Sequence, residues 1–448
     1  MKGVWLTTLC FLLSFVGFAG STRLTELVDE EFEELEGIYE HLHANPELSY
    51  HELQTAALIA EELSRLGFSV TRGVGKYQVE GRDSHGVVGV FQNGPGTTTM
   101  VRTDMDALPV EENTGLSYAS KVRVRTENGV ETGVMHACGH DVHMTCFLGT
   151  ARVLAQLTDE WSGTLVMIAQ PAEERGSGAK AMLDDGLYQR FPKPDFALAL
   201  HVSPSMPAGS VGYCSGYALA SVDSVDIKVR GKGGHGAYPH ATKDPVVLAA
   251  QIILALQTIP SRTISPLDPA VVTVGSIHGG TKHNIIPDEV DLQLTIRSYK
   301  PEVRKQVLDS IRRITLNTAM AAGIPENLHP LITEEENEFT PSTFNDPELT
   351  EMMVSTFAKE LGEERVVAVD PVMAGEDFSR YSLEPKQVQS MLFWLGTLDP
   401  KEAAQYKADG EQPPPLHSSA FAPSPRLTIQ TGVRAMTSAV LALMSSQE

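Results

Sequence analysis

The chain has few cysteines, few aromatic residues and a shortage of positive charge. Cysteine accounts for 4 of its 448 residues, and 6% of the residues are aromatic. So small a number of cysteines excludes the dense disulfide framework of a small secreted domain. Lys and Arg number 35 against 57 Asp and Glu, which gives a formal net charge of −22. Phosphate backbones and anionic membrane surfaces repel such a chain, so we expect neither nucleic acid nor, after loss of any leader, a membrane as partner.

Long apolar runs are also scarce, and the run at the N-terminus is short. One lysine precedes an apolar stretch from Val4 to Phe18, and Gly17 and Ala19 form a small-x-small pattern. A membrane span needs about 20 apolar residues. We therefore interpret residues 1–19 as a secretory signal peptide rather than a membrane anchor or a buried helix. We expect a secreted or periplasmic protein with no other segment apolar enough to cross a bilayer.

Hydrophobic periodicity divides the chain into two kinds of structure. TLVMIAQ and FALALHV are nearly continuous apolar runs, typical of strands buried on both faces of a sheet flanked by helices. From Tyr217 to Thr333 the strands instead alternate apolar and polar residues, in the order β-α-β-β-α-β. We predict an α/β domain over residues 24–216 and 334–448, with a ferredoxin-like α+β domain inserted over residues 217–333.

The decapeptide MHACGHDVHM concentrates side chains that bind metals. Cys138 and His140 are two residues apart, and in an extended segment such residues point the same way. A thiolate and an imidazole together suit zinc or another first-row divalent metal. A cysteine nucleophile paired with a histidine is the alternative interpretation. The other cysteines of the predicted mature chain, Cys146 and Cys214, are either buried thiols, which we favour, or a disulfide pair.

Polar side chains also follow the two buried strands. Glu173 and Glu174 come after TLVMIAQ, and His201 ends FALALHV. Ligands of open α/β sheets bind beyond the carboxyl ends of strands, so these side chains are candidates for one site. An exposed acidic turn and a core histidine are the alternatives. His417, in the proline-rich loop PPPLHSSAF, adds a further imidazole. With the Cys-x-His pair, the set is large enough for two metal ions that share a ligand, with Glu173 free to take a proton from water.

The inserted segment carries a polar set of its own. His235 lies in the glycine-rich turn GGHGAYPH, Asn284 lies in HNIIPD, and Arg297 lies on the polar face of the strand LQLTIRSY. A guanidinium can hold a carboxylate through two parallel hydrogen bonds. The alternative is that all three belong to solvated loops and a solvated sheet face.

In order along the chain, MHACGHDVHM, QPAEE, GGHGAYPH, HNIIPD, GEDF and a late Leu-His-Ser resemble the M20 metallopeptidase family. Within it they are most similar to the amidohydrolase subfamily that contains hippurate hydrolase and the plant auxin-conjugate hydrolases. The resemblance runs from about Leu35 to the C-terminus. It implies a zinc-aminopeptidase-like α/β catalytic domain with an inserted lid or dimerisation domain, in agreement with the insertion predicted from periodicity. It also implies a homodimer formed through the lid.

The resemblance implies a role for each candidate residue. The ligands of two divalent metal ions, zinc or manganese, would be Cys138 as the bridge with His140, Glu174, His201 and His417. The residues that act on the substrate would be Glu173 as general base and later acid, His235 as the group that polarises the scissile carbonyl, within its own site or across a dimer, and Asn284 and Arg297 as the holders of a free carboxylate. The wider family has a metal-binding HxD motif where this chain has Arg102, and Asp104 would then orient a ligand.

These roles imply a metal-dependent amidohydrolase. It would cleave the amide bond of N-acyl- or N-aroyl-amino acids to a carboxylic acid and a free amino acid. The alternatives are a metallo-carboxypeptidase or dipeptidase of the same family, and a binding protein that captures acylated amino acids without cleaving them. Glu173 argues against a binding protein, because a protein that only binds needs no general base.

Overall fold

The computed structural model describes residues 16–78, 81–126, 129–335, 339–383 and 388–445. Residues 1–15 of the predicted signal peptide lie outside the described residues. The α-helices are α1 Val16–Ala44, α2 Leu53–Arg65, α3 His140–Gln156, α4 Gly178–Asp184, α5 Leu187–Arg190, α6 Pro245–Leu256, α7 Pro301–Ala321, α8 Pro347–Leu361, α9 Arg380–Leu383, α10 Pro400–Asp409 and α11 Pro425–Met444. The strands are β1 Ser69–Arg72, β2 Val87–Asn93, β3 Thr98–Asp104, β4 Arg123–Arg125, β5 Glu131–Gly133, β6 Gly163–Gln170, β7 Phe196–Pro207, β8 Val211–Tyr213, β9 Gly216–Leu219, β10 Ser221–Arg230, β11 Gly234–His235, β12 Ala270–His278, β13 Ile285–Ile286, β14 Glu289–Ser298, β15 Leu331–Glu334, β16 Thr343–Asn345, β17 Val366–Ala368 and β18 Gln389–Leu398.

The larger sheet has eight strands in the order β1-β2-β6-β3-β7-β18-β8-β17. Its four central strands, β6, β3, β7 and β18, pair in parallel. The flanking pairs β1–β2, β2–β6 and β18–β8 are antiparallel. Because central parallel strands point the same way, their carboxyl ends meet at one edge of the sheet, which is where ligands bind in open α/β sheets.

Helices cover both faces of this sheet. On one face α1, α2, α3, α8 and α11 contribute to a single core that includes Phe32, Phe147 and Phe357. On the other face α4, α5 and α9 contribute Met182, Leu187 and Tyr381 to a second core. Burial on both faces explains why the strands have nearly continuous apolar sequences. The predicted α/β fold class is confirmed.

The second sheet has four strands in the order β12-β14-β10-β15, and each neighbouring pair is antiparallel. Helices α6 and α7 pack on its apolar face, against buried residues such as Val225, Ile227 and Leu294. The chain order β-α-β-β-α-β is that of a ferredoxin-like unit, as the alternation predicted. The domain boundaries at residues 217 and 333 stay predictions.

Two helical segments are apolar and long enough to cross a bilayer by length and composition alone. They are Pro245–Thr263 and Pro425–Met444, with mean hydropathies of 1.3 and 1.2. By this criterion, the prediction that no other segment is apolar enough to cross a bilayer is wrong. Both segments pack against a sheet core in the described structure, through residues such as Ile252 and Val433.

Candidate active site

The predicted metal ligands come together at the carboxyl edge of the larger sheet. Ligand atoms of Cys138, His140 and His201 all lie within 4.8 Å of one another, and so do those of the triplet Cys138, Glu174 and His417. A third triplet joins His140 to Glu173 and Glu174 in the same way. One continuous cluster therefore contains all five predicted ligands and the predicted base.

Cys138 and His140 reach this cluster through a tight turn, not through the extended segment that we predicted. Gly139 has a φ of 76° and immediately precedes α3, whose first residue is His140. A Cβ at position 139 would lie 2.6 Å from the Val202 side chain, and the left-handed backbone there favours glycine. The turn places Cys138 Sγ 3.6 Å from His201 Nε2.

His201 lies inside β7 and not at its end, because the strand continues to Pro207. The continuation follows from its pairing with β18, where Trp394 is the Cα partner of His201. His201 Nδ1 lies 2.9 Å from the carbonyl oxygen of Val202. A hydrogen bond donated there leaves Nε2, which faces Cys138, free to bind a cation.

Asp104 and His143 connect two of the central strands behind the cluster. Asp104 Oδ1 lies 2.7 Å from His143 Nδ1, and His143 Nε2 accepts a hydrogen bond from the Val202 amide at 2.9 Å. Asp104 Oδ2 lies 3.7 Å from His140 Nε2. Asp104 thus holds His143, and its expected role in orienting a metal ligand stays a prediction.

Glu173 and Glu174 lie on a short 3₁₀ turn that follows β6. Each has a carboxylate oxygen 3.9 Å from His140 Nε2. Both backbone amides donate hydrogen bonds to the buried Asp106, at 3.1 and 3.0 Å. The turn therefore aims two neighbouring carboxylates at one point.

His417 closes the cluster from the loop before α11. Its backbone has a φ of 66°, which is uncommon for a residue other than glycine. The Ala137 carbonyl accepts a hydrogen bond from the His417 amide at 2.8 Å, and His417 Nε2 lies 3.5 Å from Glu174 Oε1. Strained backbone of this kind concentrates at functional sites, where the surrounding structure holds it in place.

Arg102 has a structural role that the sequence did not indicate. Its buried guanidinium lies 2.8 Å from Asp104, 2.9 Å from Glu376 and 3.2 Å from Asp377. Burial alone would lower the pKa of Arg102, but the charges of Glu376, Asp104 and Asp377 raise it well above its usual value. Arg102 thus joins the segment GEDF to the end of β3. The signal available was a single arginine directly after the apolar pair Met100 and Val101 in the strand TTMVRTD.

The electrostatics of the cluster favour a bound cation. Burial would lower the pKa of His140, yet the charges of Asp104, Asp106 and Glu174 raise it to about 10. Both ring nitrogens of His140 and Glu174 Oε1 are buried and have no hydrogen-bond partner among the described residues. Buried polar atoms are normally paired. The unpaired donor atoms, the excess of carboxylates and the mixed N, O and S chemistry fit divalent metal ions.

The thiol of Cys138 is unsuited to act as a nucleophile in this environment. Burial and the charges of Glu174 and Glu173 raise its pKa well above the usual value. Reactive cysteines need electropositive surroundings that favour the thiolate. The alternative of a Cys–His nucleophile is therefore disfavoured. The three described cysteines are free and buried, so Cys146 and Cys214 form no bridge in the structure.

A cavity of about 550 Å³ opens onto the cluster. Its apolar wall consists of Leu219, Val222, Trp394 and Leu416. These residues come from three separate segments of the chain, so no local pattern in the sequence marked them. The cavity joins the candidate metal ligands to space for an apolar group.

Arg297 lines the same cavity. Its Nε donates to Thr295 Oγ1 at 3.1 Å and its Nη1 to the Met373 carbonyl at 3.5 Å. No carboxylate among the described residues pairs with it. Partial burial lowers the pKa of Arg297, and no neighbouring carboxylate raises it. A guanidinium in this state is well suited to hold a carboxylate brought by a ligand.

The other two predicted substrate residues do not line this cavity. His235 is exposed on β11, where it pairs with Ile285, and Asn284 is exposed in the turn just before β13. The Gly236 amide donates to the Asn284 carbonyl at 2.9 Å. The structure of one chain thus assembles the predicted ligands, Glu173 and Arg297, but not His235 and Asn284.

Comparisons with known proteins agree with this site. Residues 100–409 match the profile of Peptidase family M20/M25/M40. The chain is 38% identical over 405 residues to thermostable carboxypeptidase 2 of Saccharolobus solfataricus, covering 89% of this chain and 93% of that one. It is 38% identical over 351 residues to hippurate hydrolase of Campylobacter jejuni, covering 77% of this chain and 84% of the other.

A solved structure adds a further likeness. The YXEP protein of Bacillus subtilis, described as a dinuclear metal binding peptidase from the M20 family, is 28% identical. The superposition covers 91% of this chain and 97% of that one, with a TM-score of 0.71. The chain belongs to the M20/M25/M40 peptidase family, as its motifs indicated. It is a metal-dependent hydrolase of the amidohydrolase kind.

Proposed function

We propose that the protein cleaves the amide bond of N-acyl- or N-aroyl-amino acids and releases a carboxylic acid and a free amino acid. One observation carries this proposal: Glu173 and Arg297, which has no carboxylate partner among the described residues, line one cavity together with four of the five predicted metal ligands, Cys138, Glu174, His201 and His417. The arginine suits the free carboxylate of an acyl-amino acid, and the apolar wall suits its acyl group. Hippurate hydrolase, by its name, acts on such a compound.

The ligand set suits two divalent metal ions, either zinc or manganese. The residues that would hold them are Cys138, His140, Glu174, His201 and His417. Support comes from the buried atoms of His140 and Glu174 that have no hydrogen-bond partner among the described residues, and from the dinuclear YXEP relative. Such ions supply Lewis acidity to a carbonyl and make a nearby water more acidic.

Glu173 would move the proton. Burial and the charge of Glu376 raise the pKa of Glu173 well above its usual value. A carboxylate with a raised pKa can take a proton from the attacking water and then give it to the leaving amine. Arg297 would meanwhile hold the substrate carboxylate, which fixes the amide relative to Glu173.

His235 and Asn284 would reach the site from a second copy of the chain. Both are exposed and outside the cavity of their own chain, which favours the interpretation that His235 acts across a dimer. Mixing His235→Ala with Glu173→Ala chains tests this directly. Each variant alone should be inactive, and the mixture should recover activity, because one site per mixed dimer then has both residues. No recovery in mixed dimers verified by light scattering would contradict the proposal.

Carboxypeptidase activity is the second candidate, favoured by the 38% identity to thermostable carboxypeptidase 2 of Saccharolobus solfataricus. Both activities need the free carboxylate that Arg297 would hold, so the substrate panel must separate them. We would compare hippurate and other acyl-amino acids with dipeptides and with longer peptides. Turnover confined to peptides would replace the acyl-amino acid proposal with the carboxypeptidase one.

We also propose that the protein is secreted or periplasmic, on the strength of the N-terminal charge and apolar pattern. Mass spectrometry of the N-terminus after expression in a secreting host should find the mature chain starting near Gly20. A chain that retains residues 1–19 in the cell interior would contradict this proposal.

A further inference from the structure

The turn that carries both functional carboxylates is held by buried groups from distant parts of the chain. The Ala172 amide donates to Glu52 Oε1 at 2.8 Å. The next two amides, of Glu173 and Glu174, both donate to the carboxylate of Asp106. Three successive backbone amides therefore point at two carboxyl groups. This anchoring sets the direction in which the following side chains leave the backbone.

The turn has an uncommon backbone that needs such an anchor. Ala172 has a φ of 50°, in the left-handed region that residues with a Cβ rarely adopt. Its carbonyl accepts hydrogen bonds from the Ser177 and Gly178 amides, at 3.3 and 3.2 Å. A Cβ at Gly178 would lie 1.6 Å from the Pro171 carbonyl oxygen, so the turn is tightly closed.

The side chain of Glu52 reaches the turn and does not cap the helix that follows it. It is fully buried and immediately precedes α2, yet its side chain caps no amide of that helix. Glu47 does so instead, by accepting from the Gln54 and Thr55 amides at 3.1 and 2.8 Å. The side chain of Glu52 thus points away from its own helix and toward Ala172.

Keeping Glu52 buried has a cost. Its Oε2 has no hydrogen-bond partner among the described residues. Burial and the charge of Asp106 raise the pKa of Glu52 to about 8, which favours the neutral carboxyl group. Buried carboxyl groups without a cation are unfavourable and are retained where they serve a purpose.

The segment around Glu52 also supports the far end of the turn. Tyr50, with a φ of 72°, brings its hydroxyl within 3.0 Å of Ser177 Oγ. Ser49 donates to Asp106 at 2.6 Å. Ser49, Tyr50 and Glu52 therefore contact the turn or its second anchor at three points.

We propose that Glu52 is a positioning residue, which acts through the Ala172 amide to aim Glu173 at the substrate and Glu174 at the metal site. The inference rests on the roles proposed above for those two carboxylates. Glu52 itself lines no part of the cavity. A displacement of about 1 Å at a reacting group can cost a hundredfold in rate, so loss of the anchor should have a large effect at a distance.

Three variants of the full-length mature enzyme test the proposal. Glu52→Ala removes the acceptor for the Ala172 amide. Glu52→Gln keeps an oxygen in the same place and resembles the protonated carboxyl group. Glu47→Ala is the matched control, because it removes a helix cap from the same segment but no contact with the turn. Manganese titration of the metal-free protein gives the affinity of the second manganese site, which is the weaker of the two. Steady-state kinetics give kcat and KM.

We expect Glu52→Ala to weaken the second manganese site at least tenfold and to lower kcat at least tenfold, with KM within threefold of the native value. Glu52→Gln should stay within threefold on all these measures. Glu47→Ala should lower Tm but leave metal affinity and kcat within threefold.

Three results would overturn the proposal. One is a Glu52→Ala protein whose manganese affinity and kcat match the native enzyme. Another is a Glu52→Gln protein that loses at least tenfold in both manganese affinity and kcat, which is the loss expected of Glu52→Ala. This result would also overturn the proposal if Glu52→Ala failed to fold. The third is an equal loss in Glu47→Ala. If the native enzyme hydrolyses no acyl-amino acid, the proposed function fails, while the manganese titration still tests the positioning role.

Discussion

Replacement of Arg297 by alanine tests how the cavity recognises its substrate. Arg297 is the arginine of the inserted sheet that lines the cavity and lacks a carboxylate partner. Its present hydrogen bonds, to one hydroxyl and one carbonyl, leave donors free for a bidentate contact. The alanine variant should therefore lose binding of the substrate carboxylate and little else.

The size of the loss follows from the setting of the guanidinium. Removing one partner of a buried, hydrogen-bonded charge pair costs about 2–5 kcal/mol. Arg297 is only partly buried and its cavity is open, so the lower part of this range, about 2–3 kcal/mol, applies. At about 1.4 kcal/mol per factor of ten, kcat/KM should fall roughly 30- to 150-fold. Most of the change should be in KM, because the carboxylate is bound equally in the ground and transition states.

The assay compares an acyl-amino acid with its carboxamide, which lacks the negative charge. The native enzyme should prefer the acid strongly, and Arg297→Ala should treat the two compounds alike. Arg230→Ala is the control, because Arg230 lies on the same sheet but donates to the His329 carbonyl outside the cavity. If Arg297→Ala kept its preference for the acid, the substrate carboxylate would be bound by other residues, contrary to the role assigned to Arg297.

Three further changes have separate outcomes. Glu173→Gln should retain its metal in elemental analysis but lose at least a thousandfold in kcat, because an amide cannot carry the proton; kcat within tenfold of native would remove the assigned role. Arg102→Met should lower the unfolding free energy by about 3–5 kcal/mol, since it leaves Glu376 and its neighbours as uncompensated buried charges; a Tm unchanged within error would contradict this. Burial would lower the pKa of His43, but hydrogen bonds to Asp141 and Glu112 raise it from 6.5 to about 10. Because the folded-state pKa is the higher one, the stabilisation by His43 is complete below pH 6.5 and is lost as the pH rises toward 10. The difference in Tm between the native and His43→Gln proteins should shrink over that pH range. A difference that grows as the pH rises would contradict the predicted loss of stabilisation by His43.

The sequence predicted the fold well because the two parts of the chain have different periodicities. A continuous apolar strand indicates burial on both faces of a sheet, and an alternating strand indicates burial on one face. Both patterns can be read from a few neighbouring residues. The extended path assigned to Cys138 and His140 was wrong because a left-handed glycine starts a helix between them. The end assigned to the strand of His201 was wrong because pairing with β18 prolongs β7 beyond its apolar part.

The site was only partly visible in the sequence for a similar reason. Ligands such as Cys138 and Glu174 belong to short motifs that can be recognised locally. The roles of Arg102, Asp106 and Glu52 depend on partners more than 60 residues away, and the apolar wall around Trp394 depends on tertiary packing. Such roles follow from the folded structure and have no local signal.

The metal content of the purified mature protein tests the assigned site most directly, when it is measured by elemental analysis beside hydrolysis of hippurate and other acyl-amino acids. We expect about two divalent metals per chain, with hydrolysis that disappears on chelation and returns when zinc or manganese is added back. Absence of metal after reconstitution, or hydrolysis that is indifferent to chelation, would contradict the site assigned to Cys138, His140, Glu174, His201 and His417.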